Sequence, residues 1–162
     1  MRERRLKMDW EKMKELRQES DLISFALTGT ELDRYVVSFS CQGLLWLPGT
    51  QAPSVSARHQ CEIYLHLNYP RNPPQLKWLT EIFHPNILPP SQNGGVCIGA
   101  WTPAETLAQL CVRLAEMIQM KNYSVNDPLN IAAALWARKN TGRFPVDARP
   151  ILKPEPQVTP RE

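Results

Sequence analysis

The chain has 162 residues, a net charge of +3, and is 43% hydrophobic and 22% charged. A chain of about 150 residues buries roughly two-thirds of its unfolded surface, so one domain with a real core is expected. So small a charge, without interleaved basic and aromatic residues, argues against a nucleic-acid partner. The opening Met1-Arg2-Glu3-Arg4-Arg5 runs into a charged amphipathic segment rather than the apolar core of a secretory signal, and no run is long enough to span a membrane. A cytoplasmic protein is the expectation.

Leu6, Trp10, Met13 and Leu16 recur on one helical face, which predicts a helix over residues 4–20. Extended segments follow at 22–28, 34–41, 44–47 and 60–67, broken by Thr28-Gly29, Gln42-Gly43 and the polar stretch from Pro48 to Ser56. Four short sequential strands predict a four-stranded antiparallel meander. Pro70, Pro73 and Pro74 lack the N–H that a ladder requires and are expected to end it. Thr102-Pro103-Ala104-Glu105 has the form of a capping box with Pro at the first helical position, opening a helix to about Met120. Another helix is expected from Pro128 to Lys139, with Gly142 as its stop. From Phe144 onward there are five prolines in nineteen residues and no apolar period, the composition of a loose tail. The expected organisation is one α+β domain over 1–143 and a Pro-rich flexible tail over 144–162.

Four cysteines, at positions 41, 61, 97 and 111, form no C-x-x-C pair and have no His at ligand spacing, so neither a metal nor a cofactor is expected. Cys61 alternates with Ile63, Leu65 and Leu67, Cys111 shares a helical stripe with Leu107, Leu114 and Ile118, and Cys41 continues the strand face of Val37 and Phe39. These three read as buried core thiols. Cys97 differs: Gly94 and Gly95 precede it and Gly99 follows, so a short extended piece can approach a groove closely and present the sulfur. Asn86, upstream in His84-Pro85-Asn86, carries an amide donor of the kind that stabilises an oxyanion on an acylated sulfur, or that braces its own turn. No His lies near Cys97 in sequence, so a hydrolytic Cys–His pair with His84 or His59 requires the fold to bring them together.

The run Tyr69-Pro70-x-x-Pro73-Pro74, Trp78-x-Thr80-x-Ile82-x-His84-Pro85-Asn86-Ile87, Gly95-Val96-Cys97, Trp101-Thr102-Pro103-Ala104 and Asp127-Pro128-Leu129-Asn130 resembles the ubiquitin-conjugating enzymes over roughly residues 5–140. The resemblance implies the UBC-like fold and a carrier function. A ubiquitin or ubiquitin-like protein is received from an activating enzyme as a thioester on Cys97 and passed to a substrate lysine, often with a ligase. It implies Asn86 as the catalytic amide, Asp127 as an acidic residue that positions the lysine, and His84, Pro85, Gly94 and Gly95 as the structural frame. It also implies activating-enzyme docking on the first helix, through Arg4, Arg5 and Lys12, and ligase contact at Pro103 and Ala104. The scarcity of His near Cys97 suits aminolysis, because an efficient water-activating base would hydrolyse the thioester.

The pattern also departs from the family. The stretch from Asn86 to Gly95 is longer than usual and that from Cys97 to Trp101 shorter, while Arg71 stands where many members put a ligase-docking aromatic. These departures resemble divergent, bacterial-type ubiquitin-like conjugation systems. Two other readings stay open from sequence: a non-catalytic module that binds a ubiquitin-like protein, and a thiol hydrolase built on Cys97. Asp127 equally reads as a helix N-cap ahead of Pro128.

Overall fold

The computed structural model describes residues 1–155. Helix α1 (Arg2–Glu19) leads into strands β1 (Ile23–Leu27), β2 (Arg34–Phe39), β3 (Gly43–Leu45), β4 (Ser54–Ser56), β5 (His59–Tyr64) and β6 (Gln75–Trp78). Helices α2 (Leu107–Ile118) and α3 (Ile131–Lys139) follow, with single 3-10 turns at Pro90–Gln92 and Thr141–Arg143. The architecture is the expected α+β arrangement of an N-terminal helix, a four-stranded antiparallel sheet and two later helices.

The strand membership differs from expectation in one respect. The sheet runs β1-β2-β5-β6, all antiparallel, whereas the predicted strand at 44–47 forms a separate two-stranded ribbon, β3 with β4. Its place in the sheet is taken by β6, paired with β5 in the register Cys61↔Trp78 and Ile63↔Leu76. Pro73 and Pro74 do not end the sheet because they precede β6 and take no ladder position.

Period-two alternation puts Tyr35, Val37 and Phe39 of β2 and Cys61 and Ile63 of β5 on the inner face, all 2% exposed or less. Against them lie Leu107, Leu110, Cys111, Leu114 and Ile118 of α2 and Met13 and Leu16 of α1, with Trp78 fully buried beneath.

The start of α2 is set by tertiary contacts. Thr106 is its N-cap, accepting from Gln109 N at 3.1 Å while Gln109 Oε1 accepts from Thr106 N at 2.9 Å. Thr102 to Glu105, the expected capping box, forms a turn instead, with Glu105 N donating to Thr102 O. Both tetrapeptides fit the capping pattern, and α1 decides between them. Asp9, fully buried on α1, accepts from Leu107 N at 3.0 Å and from the Tyr69 hydroxyl at 2.6 Å, while Arg5 donates to the carbonyls of Pro103 and Glu105. A carboxylate at Leu107 N satisfies an orphan donor and suits the positive end of the helix dipole.

Residues 144–155 correct the expectation of a loose tail. Val146 N donates to Gln119 O at 2.8 Å and Lys153 N to Glu19 O at 2.7 Å, Ser20 Oγ donates to Ile151 O, and Ile151 is 5% exposed. The prolines here punctuate an extended segment laid across the ends of α1 and α2, so no apolar period was available to announce it. The remaining tail residues, 156–162, lie outside the described residues.

Candidate active site

The segment from His84 to Cys97 folds back on itself through bridges of Ile87 to His84 and to Val96. Asn93 and Gly94 take positive φ at its turn, 74° and 67°. Gly94 has a second requirement: a Cβ there would lie 2.6 Å from Trp78 O, because Trp78 N donates to Gly94 O at 2.8 Å. Gly95 N donates to Asn93 Oδ1 and Gly95 O accepts from Leu88 N, both at 2.8 Å. The return leg ends at Cys97, whose backbone N–H donates to Asn86 O at 2.9 Å. Cys97 is thus held beside Asn86 by main-chain bonding.

Cys97 is exposed, and the other three cysteines are buried. Burial pushes the Cys41 and Cys61 thiols up to about 12 and the Cys111 thiol well above its usual range. These three are inert core thiols, which leaves Cys97 as the sulfur that solvent and other proteins reach.

Cys97 lines a groove of about 360 Å³ together with Asn86, Ile98, Gly99, Tyr123 and Asp127. The Asn86 side chain is 5% exposed and crosses to the opposite wall: Nδ2 donates to Ser124 O at 3.0 Å and Oδ1 accepts from Ser124 N at 2.8 Å. Its amide therefore braces the 122–127 loop through both of its polar atoms. Asp127, exposed and at φ 52°, sits on that same loop. It is not the cap of α3. Asn130 is, its side chain accepting from Ala133 N, and the helix starts at Ile131 rather than Pro128. Pro85 O fixes this approach by accepting from Leu129 N at 2.9 Å and Asn130 N at 3.1 Å.

The three histidines are committed elsewhere. His84 is 1% exposed; Nδ1 accepts from Asn86 N at 2.9 Å, so Nε2 carries the proton and donates to Met117 O at 2.8 Å. Burial pushes its pKa down to about 4. His59 is buried in the core beside Trp78 with Nε2 on Ser56 O, and His66 bonds Pro73 O. Neither nitrogen of His84 is free to take a proton from Cys97, and His59, whose Nδ1 has no partner, is 1% exposed in the core and does not line the Cys97 groove, so the structure presents no histidine to that sulfur as a base.

The remaining sequence candidates lie away from the groove. Pro103, Ala104 and Arg71 are exposed on neighbouring loops, and Arg4 and Lys12 are exposed on α1. Arg5 differs from its two companions because its side chain is spent internally on Asp9, Tyr69 and the Pro103 and Glu105 carbonyls. Sequence reading missed Ser124, and also Arg138 of α3, whose Nη2 donates to Val125 O at 3.1 Å. Both act through main-chain atoms of the loop, so nothing local in the sequence marks them. Among the described residues, no group of three or more His, Cys, Asp or Glu is placed to hold a metal ion, and no helix is long and apolar enough to cross a membrane.

The ubiquitin-conjugating enzyme family matches residues 43–151. Curated relatives include ubiquitin-conjugating enzyme E2 16 of Schizosaccharomyces pombe, 34% identical over 93 residues that make up 55% of this chain and 56% of the relative. Ubiquitin-conjugating enzyme E2 K of Homo sapiens is 31% identical over 60% of this chain and 48% of its own. The NEDD8-conjugating enzyme ubc12 of S. pombe is 34% identical over 53% of this chain and 48% of its own. Among solved structures, an E2 domain from a Toxoplasma gondii ubiquitin-conjugating enzyme superposes with a TM-score of 0.61 at 24% identity, covering 89% of this chain and 91% of that one. The likeness to the Toxoplasma domain shows the fold. With a match spanning most of its length, the chain belongs to the ubiquitin-conjugating enzyme family. It spans about half the length of the curated relatives it matches.

Proposed function

We propose that this chain accepts ubiquitin or a ubiquitin-like protein from an activating enzyme as a thioester on Cys97 and transfers it to a lysine amine of a target. The observation that carries this reading is an exposed Cys97 beside Asn86 and Asp127 in one groove, with every histidine of the chain bonded elsewhere. In loading, the Cys97 sulfur attacks the activating enzyme's thioester and that enzyme's thiol leaves. In discharge, the lysine nitrogen forms the new C–N bond, the C–S bond breaks with its electron pair on Cys97, and the amine proton passes to solvent. Asp127 attracts the incoming ammonium and orients it, and the Asn86 amide is assigned to stabilising the developing oxyanion. Exposed Arg4 and Lys12 are assigned to docking the activating enzyme, and Pro103 and Ala104 to the ligase. The exposed guanidinium of Arg71, in place of an apolar ring, favours a ligase with an acidic docking surface.

The test is a non-reducing gel after incubation with ubiquitin, activating enzyme and ATP. The expected result is a reductant-sensitive adduct on wild type, none on Cys97→Ala, and a reductant-resistant one on Cys97→Lys. No adduct with ubiquitin or NEDD8, the activating enzymes being shown competent, would replace the carrier reading with that of a binding module.

A further inference from the structure

Cys97 is anchored on one side only by the main chain. Its N–H is held by Asn86 O, but residues 98–100, immediately after the sulfur, make no backbone-to-backbone hydrogen bond among the described residues. What holds them is Arg113, which α2 projects from the turn between the buried Leu110 and Leu114. Its Nη1 donates to Ile98 O at 3.0 Å and to Ala100 O at 3.1 Å, and its Nη2 to Glu105 Oε2 at 2.8 Å. Gly99 stands between the two carbonyls at φ 77°. That left-handed residue lets carbonyls two positions apart meet one guanidinium nitrogen, and glycine adopts it without steric cost. Glu105 in turn orients the guanidinium, with the Arg113 and Glu105 side chains each only 22% exposed.

We propose that Arg113 is a positioning residue for transfer: by clamping 98–100 it fixes the direction in which Cys97 holds the acyl carbonyl across the groove. The inference rests on the carrier reading above. Ile98 and Gly99 line the same groove as Asn86 and Asp127, so a loosened 98–100 segment alters the angle between carbonyl and incoming amine without touching the sulfur itself. Loading differs, because there the activating enzyme brings its own thioester to the sulfur. Discharge to a small amine has only this groove to define the geometry of attack. The planar fork of Arg bridges two carbonyls and a carboxylate at once; the single ammonium of Lys cannot.

The experiment compares wild type, Arg113→Ala, Arg113→Lys and Gly99→Ala in three assays: ubiquitin loading, single-turnover discharge to free lysine, and alkylation of Cys97 by iodoacetamide, which requires no oriented carbonyl. Arg113→Ala is expected to discharge about tenfold more slowly, with the loss in the maximal rate rather than in the lysine concentration giving half of it. Loading and alkylation are expected to match wild type, and Arg113→Lys to recover part of the rate. Discharge by Arg113→Ala at the wild-type rate would overturn the inference. Should that variant melt, Gly99→Ala decides, since its methyl meets nothing within 4 Å and strains only the left-handed turn; undiminished discharge there overturns it equally. A wild type that takes up no ubiquitin, with the activating enzyme competent, removes the carrier reading and this inference with it.

Discussion

Acidification is expected to weaken the fold through His84 by about 3 kcal/mol between neutral pH and pH 4. The ring is buried, its Nδ1 already occupied by the Asn86 N–H, and burial lowers its pKa from 6.5 to about 4. The unfolded chain takes up a proton near 6.5 and the folded chain only near 4. Between those values the unfolded state binds more protons, so stability is fully present above 6.5 and declines as pH falls through the window. Two and a half pH units at about 1.4 kcal/mol each set a limit of about 3.5 kcal/mol, of which about 3 is lost by pH 4, where the folded ring is half protonated. His59, also lowered by burial, acts in the same direction. The assay is urea unfolding at closely spaced pH values for wild type and His84→Asn. The substitution keeps an acceptor for Asn86 N–H but leaves Met117 O without its donor, at a cost of about 1–3 kcal/mol at every pH. Its stability should therefore start lower and fall less steeply with acid. Parallel curves for the two proteins would refute the argument.

Gly94→Ala should destabilise the domain by several kcal/mol, on the order of 3, since both the positive φ and the 2.6 Å approach to Trp78 O oppose a methyl; a thermal melt within a degree of wild type would contradict this. Asn86→Ala removes both bonds to Ser124, so exchange of the 122–127 amides should quicken and discharge to lysine should slow more than loading; equal losses in loading and discharge would remove the oxyanion role. Asp9→Asn keeps acceptor capacity for Leu107 N but puts an amide where Arg5 and Tyr69 both need an acceptor, and should cost on the order of 3 kcal/mol in urea unfolding. Asp147, held well below the usual carboxylate range by Arg149, contributes stability above about pH 4 that is lost on further acidification; Asp147→Asn should flatten that acid limb.

Periodicity in the sequence was enough for α1, for the inner faces of β2 and β5, and for the apolar stripe of α2, because each is a local pattern repeated over at least three contacts with one core. It was not enough where two local solutions were equally good. Thr102 and Thr106 both head a capping tetrapeptide, and the choice lies in Asp9 and Arg5, about a hundred residues away in sequence. Residues 44–47 form an unbroken apolar run, which marks a strand without naming its partner, and β3 pairs with Ser54–Ser56, a stretch whose polarity disguised the second strand of a short, partly buried ribbon. At the groove, Cys97 stood out by its glycine neighbours. The partners of Asn86 did not, since Ser124 meets it through backbone N–H and C=O, which carry no residue signature.

The Asp9 hub also bears on where this domain begins. The family match starts at residue 43, yet the N-cap of α2 is completed by a carboxylate at position 9 and the inner face of α1 covers the sheet at Met13 and Leu16. The start of the family match at residue 43 and the boundary of the cooperative unit therefore do not coincide. A fragment cut at that residue would retain Cys97 and every groove residue, yet it would expose the α2 side of the core and release the Pro103 loop that Arg5 tethers. The leading helix is accordingly free to diverge at its solvent-facing positions, while Arg5, Asp9, Met13 and Leu16 remain answerable to the rest of the chain.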